Sequence, residues 1–181
     1  MLPGLVVCAA AALIALLAFG VTDQGTNSSI DASLARGIRP KVPDASTALP
    51  RLGSSGTRES VADLKGKLVV LNVFASWCGP CKAEAPILEQ AQRELAGHDG
   101  TVLGVTYLDN SSDAAAFVHR EHINYPVVQD VDDNYVHAFG TNAVPETFVI
   151  DRQGRIAAIR RFQLTGNWLH QTLAKLMEQR A

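Results

Sequence analysis

The apolar positions follow a different pattern in each part of the chain. Leu2 to Val21 is apolar or small and carries no charged residue, a run long enough to cross a bilayer as a helix. A cleavable signal segment is the competing reading, with Ala18-Phe19-Gly20 as a small-x-small cleavage site; the length of the run favours an uncleaved transmembrane anchor over residues 1–21. From Thr22 the pattern turns polar, with Gly25, Asn27, Ser28, Ser29 and Gly37, and predicts a linker over residues 22–39. Residues 40–181 then mix short apolar runs with helical periods, as one folded domain does.

Within that domain Pro40, Pro43 and Pro50 punctuate an extended lead-in. Thr47 to Leu52 predicts a short edge strand, Ser54 to Thr57 a turn, and Glu59 to Leu64 one helical turn stopped by Gly66. Leu68-Val-Val-Leu-Asn-Val-Phe74 is apolar and too short for a helix, so it predicts a strand buried on both faces. A helix from about Pro80 to Ala96 follows, then a second buried strand from Thr101 to Leu108. Asp109 to Ser112 caps a helix running to about Glu121. Pro126 to Val128 is extended, and Asp132 to Phe139 forms a short helix ended by Gly140. Glu146–Ile150 and Arg155–Arg161 flank Asp151-Arg-Gln-Gly154 as a hairpin. Thr165 starts a last helix, whose Trp168, Leu169, Leu173, Leu176 and Met177 are spaced to cover a sheet. The sum is an α/β fold, a mixed central sheet flanked by helices on both faces.

Composition narrows the function classes. The 181 residues are 47% hydrophobic with a formal net charge of −2. That suffices for a full core in one domain and leaves no electrostatic footprint for nucleic acid. Three cysteines give no framework of structural disulfides. Cys8, preceded by Val7, reads as apolar filling in the N-terminal run and not as a lipidation site. His98, His119, His122, His137 and His170 share no metal-ligand spacing and read as surface or capping residues. Asp109, Asp113, Asp130, Asp132 and Asp133 lack EF-hand spacing, so no metal site is expected.

The chemistry gathers at Ala75-Ser-Trp-Cys-Gly-Pro-Cys-Lys82, between the first buried strand and the helix after it. Cys78 falls at the start of that helix, where unpaired N–H groups and the helix dipole favour a thiolate. Pro80 suits the first turn, since its missing N–H would have no helical partner. Cys81, three residues on, is close enough to close a small disulfide ring. A structural disulfide or half of a zinc site is the bland alternative. Zinc calls for about four ligands, and no second cysteine pair or Cys/His cluster exists.

From about Pro40 to Gln179 the chain resembles the thioredoxin fold, and more closely the membrane-anchored TlpA/ResA/DsbE (CcmG) group. The resemblance rests on Leu71-Asn-Val-Phe-Ala-Ser-Trp-Cys-Gly-Pro-Cys81, on Glu84 with Pro86, on Val144-Pro-Glu-Thr-Phe-Val-Ile-Asp151, and on the apolar N-terminus. It implies a cis Pro145 facing the cysteines, leaving the Val144 backbone to pair with an extended substrate beside Cys78. Trp77, Gly79, Pro80, Val144 and Pro145 are then the expected substrate-binding residues; for Trp77 core packing is the alternative. Asn72 stands where thioredoxins proper carry a buried Asp and cannot titrate. Glu84, three residues past Cys81 on roughly the same helical face, is the expected substitute proton acceptor; the alternative is a solvated surface Glu.

The expected activity is extracytoplasmic thiol–disulfide exchange. Cys78 attacks a substrate disulfide, and Cys81 resolves the mixed disulfide. Nothing in the sequence binds NAD or flavin, so the disulfide is the only expected redox group and re-reduction falls to a membrane electron donor. The resemblance further implies protein disulfides as substrates, among them the Cys-x-x-Cys-His segment of an apocytochrome c. No Lys or Arg precedes the apolar run, whereas Arg36, Arg39 and Lys41 follow it. Taken literally this charge bias puts the domain inside; the resemblance argues for a single-pass protein with its domain on the outer face. A Sco-like copper-delivery protein is the first alternative, but that type has three residues between its cysteines. A peroxiredoxin-like peroxidase is the second, but Phe74-Ala-Ser-Trp-Cys78 lacks the Thr of a peroxidatic Thr-x-x-Cys site.

Overall fold

The structure, a computed structural model, describes residues 27–179. The anchor expected over 1–21 lies outside them. Among the described residues no helix is long and apolar enough to cross a membrane. In chain order the elements are α1 (Asn27–Ala35), β1 (Leu49–Pro50), β2 (Arg58–Glu59), a 3-10 turn (Val61–Leu64), β3 (Leu68–Phe74), α2 (Gly79–Ala96), β4 (Gly100–Thr106), α3 (Ser111–Arg120), β5 (Val127–Gln129), α4 (Asn134–Ala138), β6 (Glu146–Ile150), β7 (Ile156–Arg161) and α5 (Gly166–Glu178).

β3 holds the fold together. Every one of its residues is buried, and it pairs with β4 in parallel and with β6 antiparallel. The five-stranded order is β5-β4-β3-β6-β7. Side chains alternate across a strand, so Leu68, Val70 and Phe74 pack under α2 and α5 against Leu88, Leu95, Leu169 and Leu173. Val69, Leu71 and Val73 enter a second core with Ile30, Leu64, Val136 and Phe139. Each such side chain, fully buried, contributes about 1.5–3 kcal/mol. The sheet therefore has helices on both faces, as the sequence pattern predicts.

Two departures from that pattern stand out. Part of the segment read as linker is the helix α1, with Ile30 buried, Leu34 packed on the second core and Asp31 bound to Arg161 at 2.8 Å. Ile30 and Leu34 are one turn apart, a stripe too thin to outweigh the surrounding Ser and Asn locally; burial against the domain supplies the rest. The second departure is β4, which ends at Thr106 instead of Leu108. Leu108 adopts a left-handed φ of 47° and turns the chain out towards Trp77.

Candidate active site

Cys78 and Cys81 form a disulfide with Cα atoms 5.3 Å apart. Cys78 is the extended N-cap of α2, and its Sγ accepts the backbone N–H of Cys81 at 3.1 Å. After reduction the same N–H and the helix dipole point at the Cys78 sulfur, the arrangement that favours a thiolate there. Both cysteines are buried, while Gly79 and Pro80 are exposed.

The loop leading into Cys78 is clamped from β4. Asp109 accepts the Ser76 backbone N–H at 2.6 Å and the Ser76 hydroxyl at 2.8 Å. The Trp77 indole N–H donates to the Leu108 carbonyl at 3.0 Å, and the side chain is 61% exposed. Trp77 is thus a surface platform beside the disulfide, not a core residue. Asp109 as a clamp was not legible locally: its partner is 33 residues away, and the helix it was expected to cap is capped by Asn110.

One turn past Cys81, Glu84 is fully buried, so the surface reading of this residue falls away. Its Oε1 accepts the Leu164 backbone N–H at 2.5 Å, and its Oε2 accepts the Asn72 side-chain amide at 3.1 Å. Asn72 also donates to the Thr147 hydroxyl at 3.0 Å. Burial pushes the Glu84 pKa up to about 7, against the opposing pull of these N–H donors. Such a carboxyl can hold or release a proton near neutrality.

Across β3 from the cysteine loop, the Val144–Pro145 peptide is cis, as the resemblance implies. Pro145 is buried and Val144 half-buried. Val73 lies opposite Glu146, so Pro145 falls beside the end of the strand from which the Cys78 loop leaves. Glu146 is itself buried; it accepts the Thr141 hydroxyl at 2.7 Å and the Arg161 guanidinium. Burial raises its pKa in spite of those partners. The fold thus brings Trp77, Cys78, Gly79, Pro80, Cys81, Val144 and Pro145 to one end of the sheet, with Glu84 on the next turn of α2. Among the described residues no group of three or more His, Cys, Asp or Glu is placed to hold a metal ion.

The strand order and the dithiol at a helix N-terminus beside β3 give the chain the thioredoxin fold. It belongs to the AhpC/TSA family, whose model matches residues 38–159. It is 28% identical over 117 residues to the thiol-disulfide oxidoreductase ResA of Bacillus subtilis, a match covering 65% of each chain and so just under two thirds of that relative. It is 30% identical over 179 residues to the thiol:disulfide interchange protein CycY of Rhizobium leguminosarum, covering 93% of both. Among solved structures, a DsbF homologue from Corynebacterium diphtheriae matches with a TM-score of 0.66 and 32% identity, over 77% of this chain and 88% of that one.

Proposed function

We propose that the chain reduces protein disulfides on the outer side of a membrane. The Cys78 thiolate attacks one sulfur of the substrate disulfide, forming a mixed disulfide and releasing the other sulfur as a thiol. Cys81, giving its proton to Glu84, then attacks Cys78; the Cys78–Cys81 disulfide forms and the second substrate thiol leaves. Two electrons pass from protein to substrate, and the resulting disulfide is recharged by a membrane electron donor without a bound cofactor. The observation that carries this reading is Cys78 at the N-cap of α2, its sulfur already receiving the Cys81 N–H.

The apolar run from Leu2 to Val21 supports a membrane tether, and with it the extracytoplasmic placement. The resemblance supports an apocytochrome c Cys-x-x-Cys-His segment as the substrate. The test is to mix the reduced protein with a disulfide-closed Cys-x-x-Cys-His peptide and count thiols on both partners. Stoichiometric oxidation of Cys78 and Cys81 with release of two peptide thiols is expected. A peptide left oxidised beside a reduced protein overturns the reading.

A further inference from the structure

The end of the sheet far from the disulfide carries a cavity of about 260 Å³ that the redox chemistry does not use. Its floor is Val69 and Ile150, which pair across β3 and β6 near the start of β3. Strand residues rise about 3.3 Å each, so this floor lies roughly 17 Å from Phe74, where the chain leaves for Cys78. Val42, Val61 and Leu64 wall the cavity, and all three are buried members of the second core. Backbone bonds hold these walls together. The Val42 N–H donates to the Gly154 carbonyl at 3.3 Å, that of Ala62 to Ala45 at 2.8 Å, and that of Gly66 to Arg152 at 3.1 Å. The cavity is therefore part of the folded frame.

Cations ring its mouth. Lys41, Lys65, Lys67 and Arg155 line it, and all four are exposed. Among the described residues the three lysine ammonium groups make no hydrogen bond or ion pair. Arg155 Nη1 donates to the Arg39 carbonyl at 3.2 Å and reaches no acid among those residues. Asp151 is the one acid in the lining, and its carboxylate is already taken. It accepts Arg39 Nη1 at 3.1 Å and the backbone N–H groups of Gln153 and Arg155 at 3.1 and 3.0 Å. Asp63, a chain neighbour of the lining, turns back to accept the Ser60 N–H and hydroxyl at 2.9 and 2.6 Å. Four like charges around one mouth repel one another, and an anion seated among them relieves that repulsion.

An apolar interior under a cationic mouth fits a molecule with an anionic head and an apolar stem. The volume sets the length. At about 30 Å³ for a water-sized group, the cavity holds about eight such groups, too few for the paired acyl chains of a phospholipid. We infer that this cavity binds a medium-chain alkyl carboxylate, its head among Lys41, Lys65 and Lys67 and its stem against Val69 and Ile150. So seated, the ligand ties the lead-in at Lys41 to the 3-10 turn and to the β6–β7 turn at Arg155. The site stands apart from the dithiol and goes beyond the oxidoreductase reading.

The test uses the full chain in nanodiscs of zwitterionic lipid, isotope-labelled at Ile, Leu and Val methyl groups and followed by NMR. It is titrated with butanoate, hexanoate, octanoate and decanoate. The Val69 and Ile150 methyl signals are expected to shift and saturate. The dissociation constant is expected to fall about fourfold per added methylene up to octanoate and to level off at decanoate. Acetate and octyltrimethylammonium are expected to leave both signals in place.

Lys65→Gln combined with Lys67→Gln is expected to weaken octanoate binding roughly tenfold. Ala62→Phe, which fills the cavity from an exposed lining position, is expected to abolish it, and Lys175→Gln on α5 to keep the wild-type value. Dissociation constants that ignore chain length overturn the apolar half of the site, and an unchanged constant in the lysine variant overturns its mouth. Signals that ignore octanoate but move in nanodiscs of anionic phospholipid overturn the ligand class. Shifts centred on the residues around Trp77 put the ligand at the dithiol and overturn the site.

Discussion

The carboxylate of Glu84 and the side-chain amide of Asn72 are hydrogen-bonded at 3.1 Å in the core, one helical turn on from Cys81. Asn72 cannot titrate, so the pair has one proton site, and burial has moved it to about pH 7. A base tuned to neutrality beside the resolving cysteine has a kinetic consequence. Glu84→Gln keeps the shape, and the Asn72 amide can turn its oxygen to the new donor. Release of substrate from the mixed disulfide is expected to slow by about 10²-fold or more and to lose its inflection near pH 7. Single-turnover release measured across pH checks this; superimposable curves leave Glu84 as a structural residue only.

The same shift makes stability depend on pH. Between about pH 4.5 and 7 the folded protein holds a proton at Glu84 that the unfolded chain has lost. The unfolding free energy contributed by this group is therefore full below the unfolded pKa and falls as pH rises through the folded one, by about 3 kcal/mol at most. Urea denaturation of the oxidised protein at the two ends of that window, compared with Glu84→Gln, isolates the effect. The wild type is expected to lose more stability than the variant as pH rises.

How much of this the sequence shows depends on how local each signal is. β3 reads directly from residues 68–74 because a strand buried on both faces is a continuous apolar run. α2 and its cysteines read equally well, since capping and helical period are local. Glu84 does not: a charged residue on a helix is exposed by default, and the N–H that keeps it buried belongs to Leu164, 80 residues away. Asp109 is hidden for the same reason. α1 is hidden because its Ile30 finds its burial only against the folded domain. The left-handed turns at Leu108 and Phe162 carry no Gly or Asn to announce them.

Asp109 holds the cysteine loop through two bonds to Ser76. Asp109→Ala strips the partners from both Ser76 donors and is expected to cost about 1–3 kcal/mol. It also frees the loop that positions Trp77. Denaturation curves give the stability change, and the rate on a peptide disulfide should fall further than the rate on a small one.

Arg161 joins α1 to the proline loop by pairing with Asp31 and Glu146. Arg161→Met leaves the buried Glu146 without its cation and is expected to destabilise by about 3–5 kcal/mol. The loss should be larger at high pH, where Glu146 is charged, because burial already raises its pKa. Adding Glu146→Gln should recover part of the stability. Additive losses in the double variant would show that the pair does not interact.

The central claim is the division of labour between Cys78 at the helix N-cap and Cys81 one turn inside. Its most direct measurement is trapping: the reduced Cys81→Ser and Cys78→Ser proteins are each mixed with a disulfide-closed peptide, quenched with acid and weighed by mass spectrometry. Cys81→Ser is expected to accumulate one peptide adduct, located on Cys78 by digestion, and Cys78→Ser to stay unmodified. Adducts that build up on Cys81 in the Cys78→Ser protein, with none in the other, would contradict the account.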